Sequence, residues 1–213
     1  MTASADPQGR VLVFARAPVA GASKTRLIPA LGAEGAARLS ARLLRHTLET
    51  ARDLPLELWC SPSTDHPVFA RSAADFRLPL RAQRGADLGA RMLNAVTESL
   101  RGAPWVIVIG CDCPQLTRED LAAAAAALES GYDAALGPAQ DGGYYLLGLC
   151  RAQPALFHKV AWGTGRVLGQ TRTRLREAGW HWHELPVRRD VDRPEDLAYF
   201  PGLCDSNAGG LAC

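Results

Sequence analysis

Lys24 and Arg26 stand in a loop of mostly small residues, Arg16-Ala17-Pro18-Val19-Ala20-Gly21-Ala22-Ser23-Lys24-Thr25-Arg26-Leu27, directly after the apolar run Val11–Ala15. Cations and a glycine between a buried strand and a helix let the backbone approach a di- or triphosphate while side chains neutralise it. The loop is not a Walker A sequence, because Ser23 precedes Lys24 where that motif needs glycine, and no GxGxxG fingerprint is present. A solvated basic loop is the plainer alternative. All but two of the 24 basic residues are arginine, so Lys24 and Lys159 stand out.

Asp112 follows the strongest apolar run, Trp105–Ile109, in Gly110-Cys111-Asp112-Cys113-Pro114. An aspartate there is often only a helix cap, but Thr117-Arg118-Glu119-Asp120 carries a capping box of its own. A free carboxylate at the ligand edge of a sheet suits a hard divalent cation, which takes one or two carboxylates and completes its shell with phosphate oxygens and water. The second carboxylate is sought in Asp190-Val191-Asp192-Arg193-Pro194-Glu195-Asp196-Leu197. Asp192 with Glu195 reads as a capping box, whereas Asp190 has no cap to explain it. Either one serves if the segment crosses the sheet edge near Asp112.

Asp141-Gly142-Gly143-Tyr144 reads as a tight turn between strands. Its glycines would let a sugar or acceptor approach the backbone, and Asp141 would accept hydrogen bonds from hydroxyls. Trp162-Gly163-Thr164 could add an apolar ring to such a pocket, although a tryptophan at a helix start is more often core packing. Gln83-Arg84-Gly85-Ala86-Asp87-Leu88-Gly89-Ala90-Arg91-Met92 is a further glycine-bearing polar loop.

The elements that must position these residues follow from period. Strands are predicted at 11–15, 56–60, 80–83, 105–109, 134–137, 144–149 and 181–185. Helices are predicted at 32–52, 66–75, 88–100, 117–129 and 165–178, with a short one after Pro194. Alternating strands and helices predict a single-domain, mainly parallel α/β sheet covered on both faces, with ligands outside the carboxyl ends of the strands. The expected domain spans 10–200, between a disordered leader (1–9) and a loose tail (201–213).

Composition narrows the function classes. The chain has 213 residues, 47% hydrophobic and 22% charged, with a net charge of +2, which offers no broad field to a nucleic acid or an anionic membrane. No apolar run reaches the ~20 residues of a membrane span, and the start lacks a signal segment, so a cytoplasmic protein is expected. The six cysteines form no CxxC and read as reduced thiols, not a zinc site.

Taken together and in order, these segments resemble the nucleotide-diphospho-sugar transferase superfamily, with its Rossmann-like GT-A fold. The nearest resemblance is to a bacterial family of glycosyltransferase-like proteins, some linked to arsenosugar biosynthesis, with the pattern F-x-R-x-P-x-x-G-x-x-K-T-R-L, D-L-G-x-R-M, D-C-P, D-G-G-Y-Y-L-x-G-L, W-G-T and D-V-D-x-P-E-D-L. It covers Val11 to Phe200. The resemblance implies a nucleotide site at Ala15, Arg16, Ala17, Gly21, Lys24, Arg26, Gln83, Gly85, Asp87 and Leu88. It implies Mg²⁺ or Mn²⁺ on Asp112 and Asp192. D-C-P replaces the D-x-D of many glycosyltransferases, so the second carboxylate must come from elsewhere, and Asp192 matches its position better than Asp190. A sugar or acceptor site at Asp141, Gly142, Gly143, Tyr144, Trp162, Gly163 and Thr164 completes the set, with Asp141 and Lys24 as the catalytic pair. The expected reaction moves a sugar from a nucleotide diphosphate to a small-molecule acceptor. The alternatives are nucleotidyl transfer with release of pyrophosphate, as in phospholactate guanylyltransferases with a similar K-[ST]-R-L loop, and non-catalytic nucleotide-sugar binding. A homodimer is compatible with the sequence.

Overall fold

A computed structural model of the chain describes residues 9–203. One sheet contains β1 (Arg10–Arg16), β2 (Leu56–Ser61), β3 (Leu80–Ala82), β4 (Val106–Ile109), β5 (Ala134–Pro138), β6 (Tyr144–Leu149) and β7 (Trp182–Glu184), in the spatial order β3-β2-β1-β4-β6-β5-β7. The helices are α1 (Ile28–Ala51), α2 (Pro67–Phe76), α3 (Leu88–Ser99), α4 (Arg118–Glu129) and α5 (Val167–Glu177). β6 is antiparallel to β4 and β5, and every other pair is parallel. The sheet is thus mainly parallel with one reversed strand.

The unbroken apolar run of β1 reflects burial on both faces. Val11 and Val13 pack with Leu44 and Leu48 of α1 and Leu121 of α4, while Leu12 joins Met92 and Val96 of α3 and Leu175 of α5. At Gly32 the backbone of α1 turns to φ 69°, so the regular helix begins after it. β1 and β4 are neighbours, and their connections leave in opposite directions, β1 to β2 on one side and β4 to β5 on the other. This is the switch point where α/β sheets open a crevice at their carboxyl edge. Because β6 alone is reversed, its start, Tyr144, lies at the edge where the other strands end, and the β5–β6 turn joins the loops after β1 and β4.

A third apolar cluster, Leu27, Leu39, Leu43, Val191 and Leu203, fastens the end of the described chain to α1. The tail was expected to loosen from residue 201. Instead, Pro201–Leu203 forms a 3₁₀ turn, Leu203 is 3% exposed, and the Arg42 guanidinium donates to its carbonyl at 2.8 Å. Residues 1–8 and 204–213, where the leader and the rest of the tail were expected, lie outside the described residues. Among those described, no helix is long and apolar enough to cross a membrane.

Candidate active site

Lys24 is held in the left-handed conformation (φ 48°, ψ 42°) between the buried Ser23 and a 3₁₀ turn, Thr25–Leu27, that opens into α1. Its side chain is only 5% exposed, with Nζ 2.6 Å from Asp112 Oδ1 and donating to the carbonyl of Val191. The loop after β1, the loop after β4 and the segment beyond β7 therefore meet on one ammonium. Arg26 pairs with Asp192. These groups line a cleft of about 520 Å³, with Arg16, Gln83, Leu88 and Arg91 along its wall. A groove of similar volume lies between His46, Pro114, Phe200 and Leu203, and its charged residues, Arg118 and Glu119, are successive positions on α4.

The segment beyond β7 is fixed by hydrogen bonds, as the N–H of Val191 donates to the Asp112 carbonyl at 2.7 Å, and Arg188 exchanges backbone bonds with Pro138 and Gln140. Asp190 is thereby set among carboxylates. Its Oδ1 is buried without a hydrogen-bond partner. Burial first, then the charges of Asp112 and Asp141, push its carboxyl up to about 7, against the opposing pull of Lys24 and Cys113. An orphaned carboxyl oxygen beside the half-exposed Asp112 fits a divalent cation that takes its remaining ligands from phosphate and water. Among the described residues, no three or more His, Cys, Asp or Glu side chains form a ready cation site by themselves. Burial raises the thiols of Cys111 and Cys113 and keeps them protonated and non-nucleophilic.

The structure redistributes several expected roles. Ala17, Gly21, Gly85 and Asp87 do not line the cleft, whereas Ala15, Arg16, Lys24, Arg26, Gln83 and Leu88 do. Asp87 caps α3, its Oδ1 accepting from Ala90 N at 2.8 Å. Gln83 donates its amide to the carbonyls of Ala15 and Trp59, which ties the ends of β1 and β2 together. In place of the capping box expected at Asp192 and Glu195, a single carboxylate one residue later does the capping: Asp196 accepts from the N–H groups of Asp192 and Arg193 at 3.1 and 2.9 Å. Asp192 is drawn to Arg26 instead.

Asp141, Gly143, Tyr144, Trp162, Gly163 and Thr164 come together around a second, adjoining cavity. Gly142 does not, because the space where its side chain would be is filled by the Gly165 backbone, whose carbonyl would sit 2.3 Å from a Cβ. The missing side chain of Gly142 thus makes room for the backbone of Gly165. Two residues of the Gln83–Met92 loop were given no role of their own from the sequence. Arg91 turns into the cleft and donates to Gly85 O and Ser61 Oγ. Gly89 gives Trp162 its place, since a Cβ there would lie 2.4 Å from the Phe157 carbonyl and 2.7 Å from Trp162 Nε1. A glycine in the first turn of a helix was the available signal.

Residues 43–164 match the bacterial family described as "Uncharacterized protein conserved in bacteria (DUF2064)". A solved structure from Desulfovibrio desulfuricans G20, provisionally described as a nucleotide-diphospho-sugar transferase, shares 30% identity over 94% of this chain and 89% of its own, with a TM-score of 0.82. At the level of fold alone, the inositol-1-phosphate CTP transferase from T. maritima aligns over 97% of this chain and 99% of its own (13% identity, TM-score 0.63). Glucosyl-3-phosphoglycerate synthase from Mycobacterium tuberculosis, solved with Mn²⁺, UDP and glucosyl-3-phosphoglycerate, aligns over 91% and 75% (12% identity, TM-score 0.53). The family match and the 30% identical relative, laid over a crevice with cations on one wall and carboxylates on the other, establish that the chain belongs to this DUF2064 family and to the nucleotide-diphospho-sugar transferase superfamily.

Proposed function

We propose that the protein is a metal-dependent glycosyltransferase that moves a sugar from a nucleotide diphosphate to a small-molecule acceptor. The observation that carries this reading is the contact of Lys24 Nζ with Asp112 Oδ1 across the switch point, beside the orphaned oxygen of Asp190. Lys24 and Arg26 neutralise the diphosphate, and a bound diphosphate shares the ammonium that Asp112 and Val191 hold in its absence. Asp112 with Asp190 would hold Mg²⁺ or Mn²⁺, in preference to Asp192, whose carboxylate is engaged by Arg26. Bound there, such an ion would supply neutralisation of charge on the departing nucleoside diphosphate. Asp141, in the wall of the adjoining cavity, orients the acceptor hydroxyl and takes its proton as it attacks the anomeric carbon. A cytoplasmic location goes with a soluble nucleotide donor.

Nucleotidyl transfer is the second reading, favoured by Arg16 and Arg91 along the same cleft, which add positive charge suited to a triphosphate. Thermal shifts with nucleoside di- and triphosphates and nucleotide sugars, each with Mg²⁺ or Mn²⁺, separate the two. A ligand at 100 times its Kd stabilises by ~2.7 kcal/mol. Stabilisation by a diphosphate and its sugar conjugate is expected, and its loss in a folded Asp112→Ala variant. A response to triphosphates alone selects nucleotidyl transfer, and silence throughout overturns both.

A further inference from the structure

Beside the charged cleft, and sharing Phe14, Leu88 and Gly110 with it, lies a cavity of about 210 Å³ with a different chemistry. Its walls are Phe14, Met92, Val108, Tyr144, Trp162 and Val167, from β1, α3, β4, β6, the 160s loop and α5. Ring contacts hold these walls in place: Phe14 stacks on Trp59 at 6.2 Å, and Tyr144 meets Trp162 edge-on at 6.4 Å. The Tyr144 hydroxyl is spent on Met92 Sδ, at 3.9 Å. Side-chain oxygens enter mainly at Asp141 and Thr164, and the Thr164 hydroxyl donates to Ala161 O at 2.7 Å.

A bare sugar ring in this seat would leave most of its hydroxyls without partners, at a cost in free energy for each. An apolar cavity of ~150 Å³ accepts benzene, so this one has room for a benzyl-sized body with a polar head. Resting on the proposed function, we infer that the second substrate is a compact alcohol with an apolar body, seated against Met92, Val108 and Trp162 with its hydroxyl at Asp141. The same seat serves either transfer chemistry, because it lies outside the cation-lined cleft.

The chain has two methionines, Met1 and Met92, so labelling their methyl groups with ¹³C gives a reporter inside the seat. Benzyl alcohol is titrated into the full chain, with glycerol as the hydrophilic control, in the absence and presence of Mg²⁺ with UDP, GDP, CDP or ADP. The expected result is a saturable shift of the Met92 methyl resonance with benzyl alcohol, none with glycerol, and the same saturation when nucleotide is bound. A linear shift, an equal response to glycerol, or displacement of benzyl alcohol by a nucleotide, which would make the seat a base pocket, overturns the inference. Val108→Phe fills the cavity and should abolish the shift. Should that variant fail to fold, the wild-type titration decides alone. Calorimetry of nucleotide binding on the same samples keeps the two readings apart. Nucleotide binding without the benzyl alcohol response removes only the seat, whereas the saturable response without nucleotide binding leaves the seat standing and removes the transferase reading.

Discussion

Lys24 carries two duties that separate on mutation. Its ammonium holds Asp112 and the Val191 carbonyl together in the ligand-free chain, and it faces the cleft where a phosphate would sit. Lys24→Ala should weaken nucleoside diphosphate binding by about 2–3 kcal/mol, the size of a lost charge-assisted hydrogen bond. Its effect on stability should be smaller, because Asp112 is 56% exposed and water takes over its solvation. Calorimetry with a loss of only about a few tenths of a kcal/mol would return the loop to an ordinary basic surface. Lys24 and Asp112 were legible in the sequence because each stands just past a strand whose apolar run is unmistakable. The choice between Asp190 and Asp192 was not. Which carboxylate is orphaned depends on Arg26, far away in the chain, and pairing over such a distance leaves no periodic trace.

At the scale of elements, the strands and α-helices could be placed from their apolar runs and periods, while the reversal of β6 was carried by the Asp141-Gly142-Gly143 turn alone, since both faces of β4, β5 and β6 are buried and their patterns look alike. The edge strand β7, paired on one side only, with β5, is also held by side chains. Arg172 of α5 grips Glu184 through two hydrogen bonds of 2.7 and 2.8 Å, and Trp182 adds a third at 3.0 Å. The Arg172 hydrogen bonds, opposed by desolvation and aided by Trp182, hold the Glu184 carboxyl below its ordinary range. A carboxyl depressed in the folded state adds stability above its unfolded pKa of about 4.3, and loses it as pH falls through the lower folded value. Glu184→Gln should therefore cost about 0.5–1 kcal/mol at neutral pH, modest because both partners are about one-third exposed. Urea midpoints of the two proteins should converge well below pH 4. A gap that persists at acid pH would assign the loss to packing.

For the molecule as a whole, the site depends on a segment that arrives last. Val191, whose carbonyl accepts from Lys24, and Asp190, whose oxygen waits for a partner, both follow β7, and beside its backbone bonds the segment carries an ion pair outside the cleft. Arg188 forks onto Asp120 at 2.9 and 3.1 Å, while Asp120, 3% exposed, also caps α4 through the Thr117 N–H. Nearby, the Tyr145 hydroxyl donates to the Pro186 carbonyl at 3.1 Å. Arg188→Ala strands a buried carboxylate, which costs about 3 kcal/mol, and frees the segment to shift against Asp112. Both urea stability and nucleotide affinity should fall, although Arg188 does not line the cleft. Arg188→Lys keeps the charge but loses the fork, so it should recover part of each. Stability that drops while affinity stays constant would mean that the backbone bonds of Arg188 and Val191 position the segment unaided. A coupled loss would show that α4, through one buried carboxylate, sets the geometry of the last wall of the site.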